Sequence, residues 1–447
     1  MKTILAATLI AITAMAQAQT NIRLLTLDPG HFHAALVQKT MLPNVAPIVH
    51  VYSPGGADLQ MHLARIESFN TRADNPTRWQ EVVHTGPDFF EKMLRDKPGN
   101  VVVISGNNAK KAKYILACVE AGLNVLSDKP MAITPADFNL LEKAFIEARR
   151  RNVLLLDIMT ERYEITTILQ RELSRQATVF GVLETGSPEH PAITKESIHH
   201  FFKQVAGKPL IRPPWFFDVT QQGEGIVDVT THLVDLIQWE CFPGQSLHPR
   251  EAEVLTAKRW TTPMTPAQFQ KATGITEYPD YLKSCADKNN NLNIYANGSF
   301  VYALRGIHAK VSVEWRYEAP PGSADTHYSI MRGTKANLVI RQGKEQNFVP
   351  ALYVEKQSRA SDAEFERALN ITVAKIAKNW PGIAAKKCPA GWEIVIPAHY
   401  RDGHEAHFAQ VAARYMNFLP TGKMPEWEVP NMLTKYSTIM QAYKFSR

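Results

Sequence analysis

The sequence predicts an α/β protein that opens with a doubly wound parallel sheet. Over residues 22–157, short apolar runs alternate with helix-length ones, which is the order that βαβ units need. Several short runs are β-branched and apolar throughout, as strands covered on both faces must be. At 447 residues the chain exceeds one ordinary domain, so a second is expected after the first. With 45% hydrophobic and 21% charged residues, it has ample apolar surface for its cores.

In chain order, residues 1–18 have the form of a secretory signal: Lys2, an apolar run from Ile4 to Met15, and the small-residue site Ala16-Gln17-Ala18. The expected mature chain begins at Gln19, in a bacterial periplasm. No later run approaches the roughly 18 apolar residues of a membrane span, so no membrane partner is expected. The formal charge of +7 is thinly spread and forms no basic block, which argues against nucleic acid as a partner. Cys118, Cys241, Cys285 and Cys388 show no CxxC pairing, so they do not suggest a metal site. Cys285 and Cys388 lie in loop-like surroundings and are the expected pair if a disulfide forms.

Strands are expected at Arg23–Leu27, Pro47–Tyr52, Asn100–Ser105, Leu123–Ser127 and Val153–Asp157, with helices at Ala34–Met41, Ala109–Ala121 and Pro135–Arg150. Thr134 caps the last helix, and Pro135 suits its first turn. Such sheets bind ligands beyond the carboxyl ends of their strands. The first strand ends in Asp28-Pro29-Gly30-His31-Phe32-His33. Against a GxGxxG fingerprint this keeps only the middle glycine, Gly30, with Asp28 and His33 at the outer positions. An ordinary strand-to-helix turn explains the same residues, although Gly30 also permits close approach of a phosphate to helix amides. The second strand ends at Ser53 without an acid for a ribose diol, which leaves NAD and NADP both open.

The stretch Gly225–Asp235, GIVDVTTHLVD, reads as a buried helix. At about 100° per residue, Asp228, His232 and Asp235 share one side and Ile226, Val229, Leu233 and Leu236 the other. An imidazole beside a carboxylate can move protons; a satisfied buried His–Asp pair is the plainer alternative. The histidines of His404-Glu405-Ala406-His407 are three apart, unlike a zinc HExxH motif, and this segment is expected as a helix N-terminal turn near the site. His31 and His33 find no further ligand at a convincing spacing, so no metal is expected.

Two signatures, Asp128-Lys129-Pro130 after Glu120-Ala121-Gly122-Leu123-Asn124-Val125-Leu126-Ser127, and Gly225, Asp228 and His232, stand roughly 100 residues apart. In that order they resemble the glucose–fructose oxidoreductase, inositol dehydrogenase and rhizopine catabolism family, with Asp128 where the family has Glu. The resemblance implies a Rossmann nucleotide domain over 20–160, leaving near Leu155–Tyr163, and a second α/β domain over 161–447 with a large, mostly antiparallel open sheet. Val179–Ser187, Phe300–Ile307, Lys310–Tyr317, Tyr328–Gly333 and Leu338–Arg341 alternate as its half-exposed strands should. His404–Phe418 and Met432–Phe445 read as closing helices. Segments 250–291 and 343–398 have no counterpart in the family pattern.

By that resemblance NAD or NADP is the expected cofactor, held by Gly30, His31, Phe32, His33, Ser53, Gly106, Asn107, Asn108, Asp128 and Lys129. His232 is the expected base, Asp228 orients it, and Lys129 stabilises the reacting oxygen. The substrate would be a sugar or glycoside. Trp215 offers it a stacking platform or is core with Phe216 and Phe217; Arg162 offers it a hydrogen bond or makes a surface salt bridge. A homo-oligomer through the sheet face is also implied. The periplasm lacks a soluble nicotinamide pool, so the cofactor should be held tightly and restored on the enzyme. Hydride transfer at C3 of a glycoside is the leading expectation, followed by an NAD-dependent glycosidase. A carbohydrate-binding protein without catalysis is the third reading, suggested by the altered first turn.

Overall fold

A computed structural model describes residues 22–205 and 208–447; the expected signal segment lies outside the described residues. The first sheet has six parallel strands: β1 (Leu24–Leu27), β2 (Ile48–Ser53), β3 (Gln80–Thr85), β4 (Val101–Ile104), β5 (Asn124–Asp128) and β6 (Leu155–Ile158). Their order, β3-β2-β1-β4-β5-β6, reverses between β1 and β4, and ligands bind such sheets at that crevice. β1, β4 and β6 are buried along their whole length, as their mainly apolar sequences lead one to expect.

The intervening helices are α1 (His33–Leu36), α2 (Ala57–Thr71), α3 (Phe89–Asp96), α4 (Asn108–Glu120) and α5 (Pro135–Arg151). The Thr134 hydroxyl accepts the Asp137 amide and the Asp137 carboxylate accepts the Thr134 amide, a reciprocal cap that fixes the start of α5. Asn107 caps α4 by accepting the Ala109 amide. α1 stops after Leu36, short of the expected Met41. Beyond it the Gln38 side chain donates to Glu81, and its carbonyl accepts the Trp79 indole N–H. β3 escapes the sequence pattern because its Gln-Glu-Val-Val-His-Thr run lies half exposed at the sheet edge.

After α6 (Ile165–Ser174) comes a sheet of nine strands. These are β7 (Ile193–Phe202), then, beyond a two-residue ribbon β8–β9 (Gln204–Val205 and Lys208–Pro209), β10 (Ala252–Met264), β11 (Leu292–Leu304), β12 (Ile307–Glu318), β13 (Thr326–Arg332), β14 (Ala336–Arg341), β15 (Ala351–Lys356), β16 (Ala384–Cys388) and β17 (Gly391–Val395). Every neighbouring pair is antiparallel except β12 with β7. Helices α7 (Val219–Gln222), α8 (Thr230–Cys241), α9 (Pro266–Thr273), α10 (Asp280–Lys283) and α11 (Asp362–Ile376) accompany it.

Segments 250–291 and 343–398 extend the sheet, supplying β10 at one edge and β15, β17 and β16 at the other. The expected strand Val179–Ser187 does not form; only the bridges Leu183–Gly333 and Gly186–Pro191 remain. All four cysteines are free. Cys285 borders β11, where its carbonyl accepts the Asn293 amide, while Cys388 ends β16 at the opposite edge. Seven strand spacings of about 4.8 Å separate those positions, far beyond the reach of a disulfide.

The last two helices, α12 (His404–Phe418) and α13 (Glu428–Phe445), return to the first sheet. Phe408, Val411, Tyr415 and Tyr436 join its apolar core. The Tyr415 hydroxyl donates to the Leu154 carbonyl and that of Tyr436 to Asp157. The N-terminus of α12 is thereby set over the carboxyl ends of β1 and β5.

Candidate active site

A cavity of about 600 Å³ lies where these strand ends face β7, β12 and α8. Lys129 enters from the end of β5. Its Nζ donates to Asp228 Oδ1 at 2.6 Å, and both side chains are nearly buried. Asp228 Oδ2 accepts the Gln222 amide at 3.1 Å. Asp228 lies in the turns that lead into α8. Gly225 sets that approach: a Cβ there would fall 1.7 Å from the Ala296 carbonyl oxygen. His232, one turn on, also lines the cavity.

Asp228 is therefore spent on Lys129 and does not orient His232, as the sequence suggested. His232 Nδ1 is buried without a hydrogen-bond partner among the described residues. Burial, then the Lys129 charge, holds its pKa well below the usual histidine range, which keeps the ring neutral. Asp235 faces away from the cavity and accepts both Arg162 and Lys435.

That arrangement corrects the substrate role for Arg162. Its guanidinium is 7% exposed and pairs with Asp235 and Glu428, so it is neither a surface ion pair nor open to a sugar. Trp215 is corrected as well. It packs with Phe216 and Phe217 in an aromatic core, donates its indole N–H to Asp58 at 2.9 Å and lies against Gly30. Of the three rings, Phe216 reaches the cavity.

The other sequence-derived residues divide between two hollows. His31, Phe32, His33, Asn108 and Asp128 line the main cavity with Lys129. Gly30 and Asn107 line a second hollow of about 360 Å³ at the ends of β1 and β2. Ser53 is buried beside it and accepts the Gly55 amide. Gly106 packs on the Asp28 carbonyl, which a Cβ would approach to 2.2 Å.

The two hollows suit the halves of a dinucleotide: a nicotinamide beside Lys129, and an adenosine beside Pro54, Gly55 and Lys110. The residues present fit the group, with one restriction. The Gly30 and His31 amides both donate to the Ser105 carbonyl, and Trp215 covers Gly30 between the hollows. Fewer amides thus face a phosphate than in a glycine-rich turn.

Several residues in or behind the cavity wall escaped sequence reasoning. Lys111, 1% exposed, donates to the carbonyls of Asp128 and Lys129, and burial brings its pKa down to about 8. On β7, Ser197 Oγ lies 2.6 Å from His199 Nε2, and His199 Nδ1 lies 2.9 Å from Asp325 Oδ2. Lys203 also pairs with Asp325. Burial opposes ionisation of Asp325, but His199, His200 and Lys203 hold its pKa well below the usual range. The alternation of Ser197 and His199 on one face was the available signal. Glu161 is pushed up to about 7 by burial and then by Glu164. His404 lines the cavity too, its pKa lowered to about 4 by burial and then by Lys203.

Residues 30–155 match the family model described as "Oxidoreductase family, NAD-binding Rossmann fold", and residues 169–447 match "Putative oxidoreductase C terminal domain". The search of curated proteins gives no match. A crystal structure of a "putative oxidoreductase" from Parabacteroides merdae ATCC 43184 is 54% identical with a TM-score of 0.93, covering 96% of this chain and 98% of that one. A structure described as a "putative oxidoreductase" from Thermotoga maritima (12% identity, TM-score 0.59, covering 95% of this chain and 98% of that one) shares the fold. So does KijD10 from Actinomadura kijaniata, a 3-ketoreductase in complex with TDP-benzene and NADP (14% identity, TM-score 0.55, covering 94% and 96%). With an NAD-binding Rossmann sheet, a large second sheet and a lysine–aspartate pair between them, the chain belongs to the glucose–fructose oxidoreductase, inositol dehydrogenase and rhizopine catabolism family of NAD(P)-binding oxidoreductases.

Proposed function

We propose that this protein, secreted to the periplasm, moves a hydride between a tightly held NAD(P) and a hydroxyl-bearing carbon, C3 of a sugar or glycoside. The observation that carries the reading is the convergence of the Lys129–Asp228 pair and the His232 imidazole on one cavity. The description of the fold neighbour KijD10 as a 3-ketoreductase favours C3. A bound nicotinamide supplies the hydride acceptor. As the carbon gives up its hydride, the hydroxyl proton passes to His232 and the C–O bond becomes a carbonyl. Lys129 Nζ donates to that oxygen while negative charge develops on it, and Asp228 holds the ammonium in place. Ser197, His199 and Asp325 offer donors and acceptors to the remaining hydroxyls, beside the apolar face of Trp315.

The glycosidase reading draws on Glu161, a cavity carboxyl with a pKa of about 7 that simple oxidation does not need. It could protonate a departing glycosidic oxygen after C3 oxidation makes the C2 proton acidic; addition of water and re-reduction would complete the cycle. Product analysis after incubation with glycosides decides. A keto-glycoside supports oxidation, a free reducing sugar supports the glycosidase, and glycoside binding with no product supports a carbohydrate-binding protein.

A further inference from the structure

We infer that His31, His33 and Asp128 form a divalent transition-metal site of the zinc class, whose open position faces the cavity and takes a substrate oxygen. The three ligand atoms lie within 4.8 Å of one another. Asp128 Oδ2 is 2.9 Å from His33 Nδ1 and 3.7 Å from His31 Nδ1. Zinc bonds of about 2.0–2.2 Å at tetrahedral angles put neighbouring ligand atoms roughly 3.3–3.6 Å apart, so small shifts would close the set around an ion. A lone His33–Asp128 hydrogen bond accounts for the shorter distance only. His31 Nδ1 accepts the His33 amide at a long 3.4 Å and points toward the same carboxylate oxygen, with its ring edge-on to His33 at 4.0 Å.

The site has outer support. Ser105 Oγ donates to Asp128 Oδ2 at 3.1 Å, and the Lys129 amide donates to Oδ1 at 2.9 Å. Such bonds fix a carboxylate ligand. All three ligands line the main cavity, and three protein ligands with a vacant fourth position are the pattern of catalytic zinc. The sequence concealed the set because Asp128 is 95 residues from His33. The two histidines also occupy the turn where a glycine-rich fingerprint would stand, so its departure from that pattern gains a positive reason. The ion site does not depend on hydride transfer; only the substrate oxygen at its open position does.

The test strips the full mature protein with a chelator, adds one equivalent of Zn²⁺, and measures zinc retained after gel filtration. Co²⁺ in parallel reports coordination through its visible spectrum. The expected result is about one zinc per chain. Affinity should fall by more than the ~10–100-fold that follows loss of an outer partner in His31→Ala and Asp128→Asn, and stay unchanged in the exposed His190→Ala. Should Asp128→Asn fail to fold, the part-exposed His31 still decides through its own variant. The inference is overturned if the stripped protein retains no zinc, or if zinc binding survives both substitutions. Zinc bound without any glycoside oxidation supports the site while removing the hydride reading. Full turnover by a protein that binds no zinc does the reverse.

Discussion

Lys129 and Asp228 enclose each other so closely that neither can be judged alone. Removing the cation leaves a buried carboxylate, which costs about 3–5 kcal/mol where pairs are fully desolvated; these side chains keep 11% and 6% exposure, so the loss should fall below that. Lys129→Met should therefore fold with a lower melting temperature and lose nearly all turnover while still binding glycoside, as calorimetry and steady-state kinetics can show. His232→Ala should lower kcat by about 10²–10⁴-fold. The base must be unprotonated to oxidise an alcohol, and burial and Lys129 lower the His232 pKa, so kcat/KM should hold its plateau below pH 6.5. An acid limb near 7 that vanishes in Glu161→Gln would transfer the role to Glu161. At this scale the sequence revealed the types and order of Lys129, Asp228 and His232, since motif spacing is local. It could not reveal that Asp228 chooses Lys129, or that Arg162 turns inward, because those depend on side-chain directions set by distant elements.

Among elements, the short turn carrying Trp215 has the clearest consequence. Its indole rests on Gly30 between the two hollows and is tied to Asp58. Trp215→Ala should speed release of bound nucleotide, measured by dilution into competitor; unchanged or slower release would place the ring off the cofactor's path. The approach to α8 depends on Gly225, whose added Cβ would collide with the backbone of β11. Gly225→Ala should cost about 1–3 kcal/mol in denaturant unfolding, typical of overpacking, and more if the backbone cannot shift. The capped helix α5, the helix α12 and the buried strands of the first sheet were legible and fall near their expected bounds. The strands β12 and β13 were legible too, β12 through its clean alternation, whereas β3 and β7 were not. β3 and β7 mix polar and apolar residues because only parts of their faces are covered.

Across the whole molecule, one buried charge network joins the first sheet to α8 and the C-terminal helix. Asp157 on β6, Arg162 after it, Asp235 on α8 and both Glu428 and Lys435 on α13 are linked by ion pairs. Burial opposes ionisation of Asp235, but Arg162 and Lys435 hold its pKa below the usual range. Its contribution is thus present above the unfolded value of about 3.9 and is lost as pH falls through the lower folded value. Asp235→Ala should destabilise the fold by about 3–5 kcal/mol, and thermal unfolding below pH 4 should show the wild type losing part of that advantage. The architecture was legible because alternation and two motifs are sequence properties; the buried charge network was not, since its members span residues 157–435. The central claim is that this cleft holds a nicotinamide nucleotide beside Lys129. Its most direct test is to purify the protein without added nucleotide, denature it, and assay the released NAD(H) and NADP(H). The account predicts about one nucleotide per chain; none released, and none bound on addition, would contradict it.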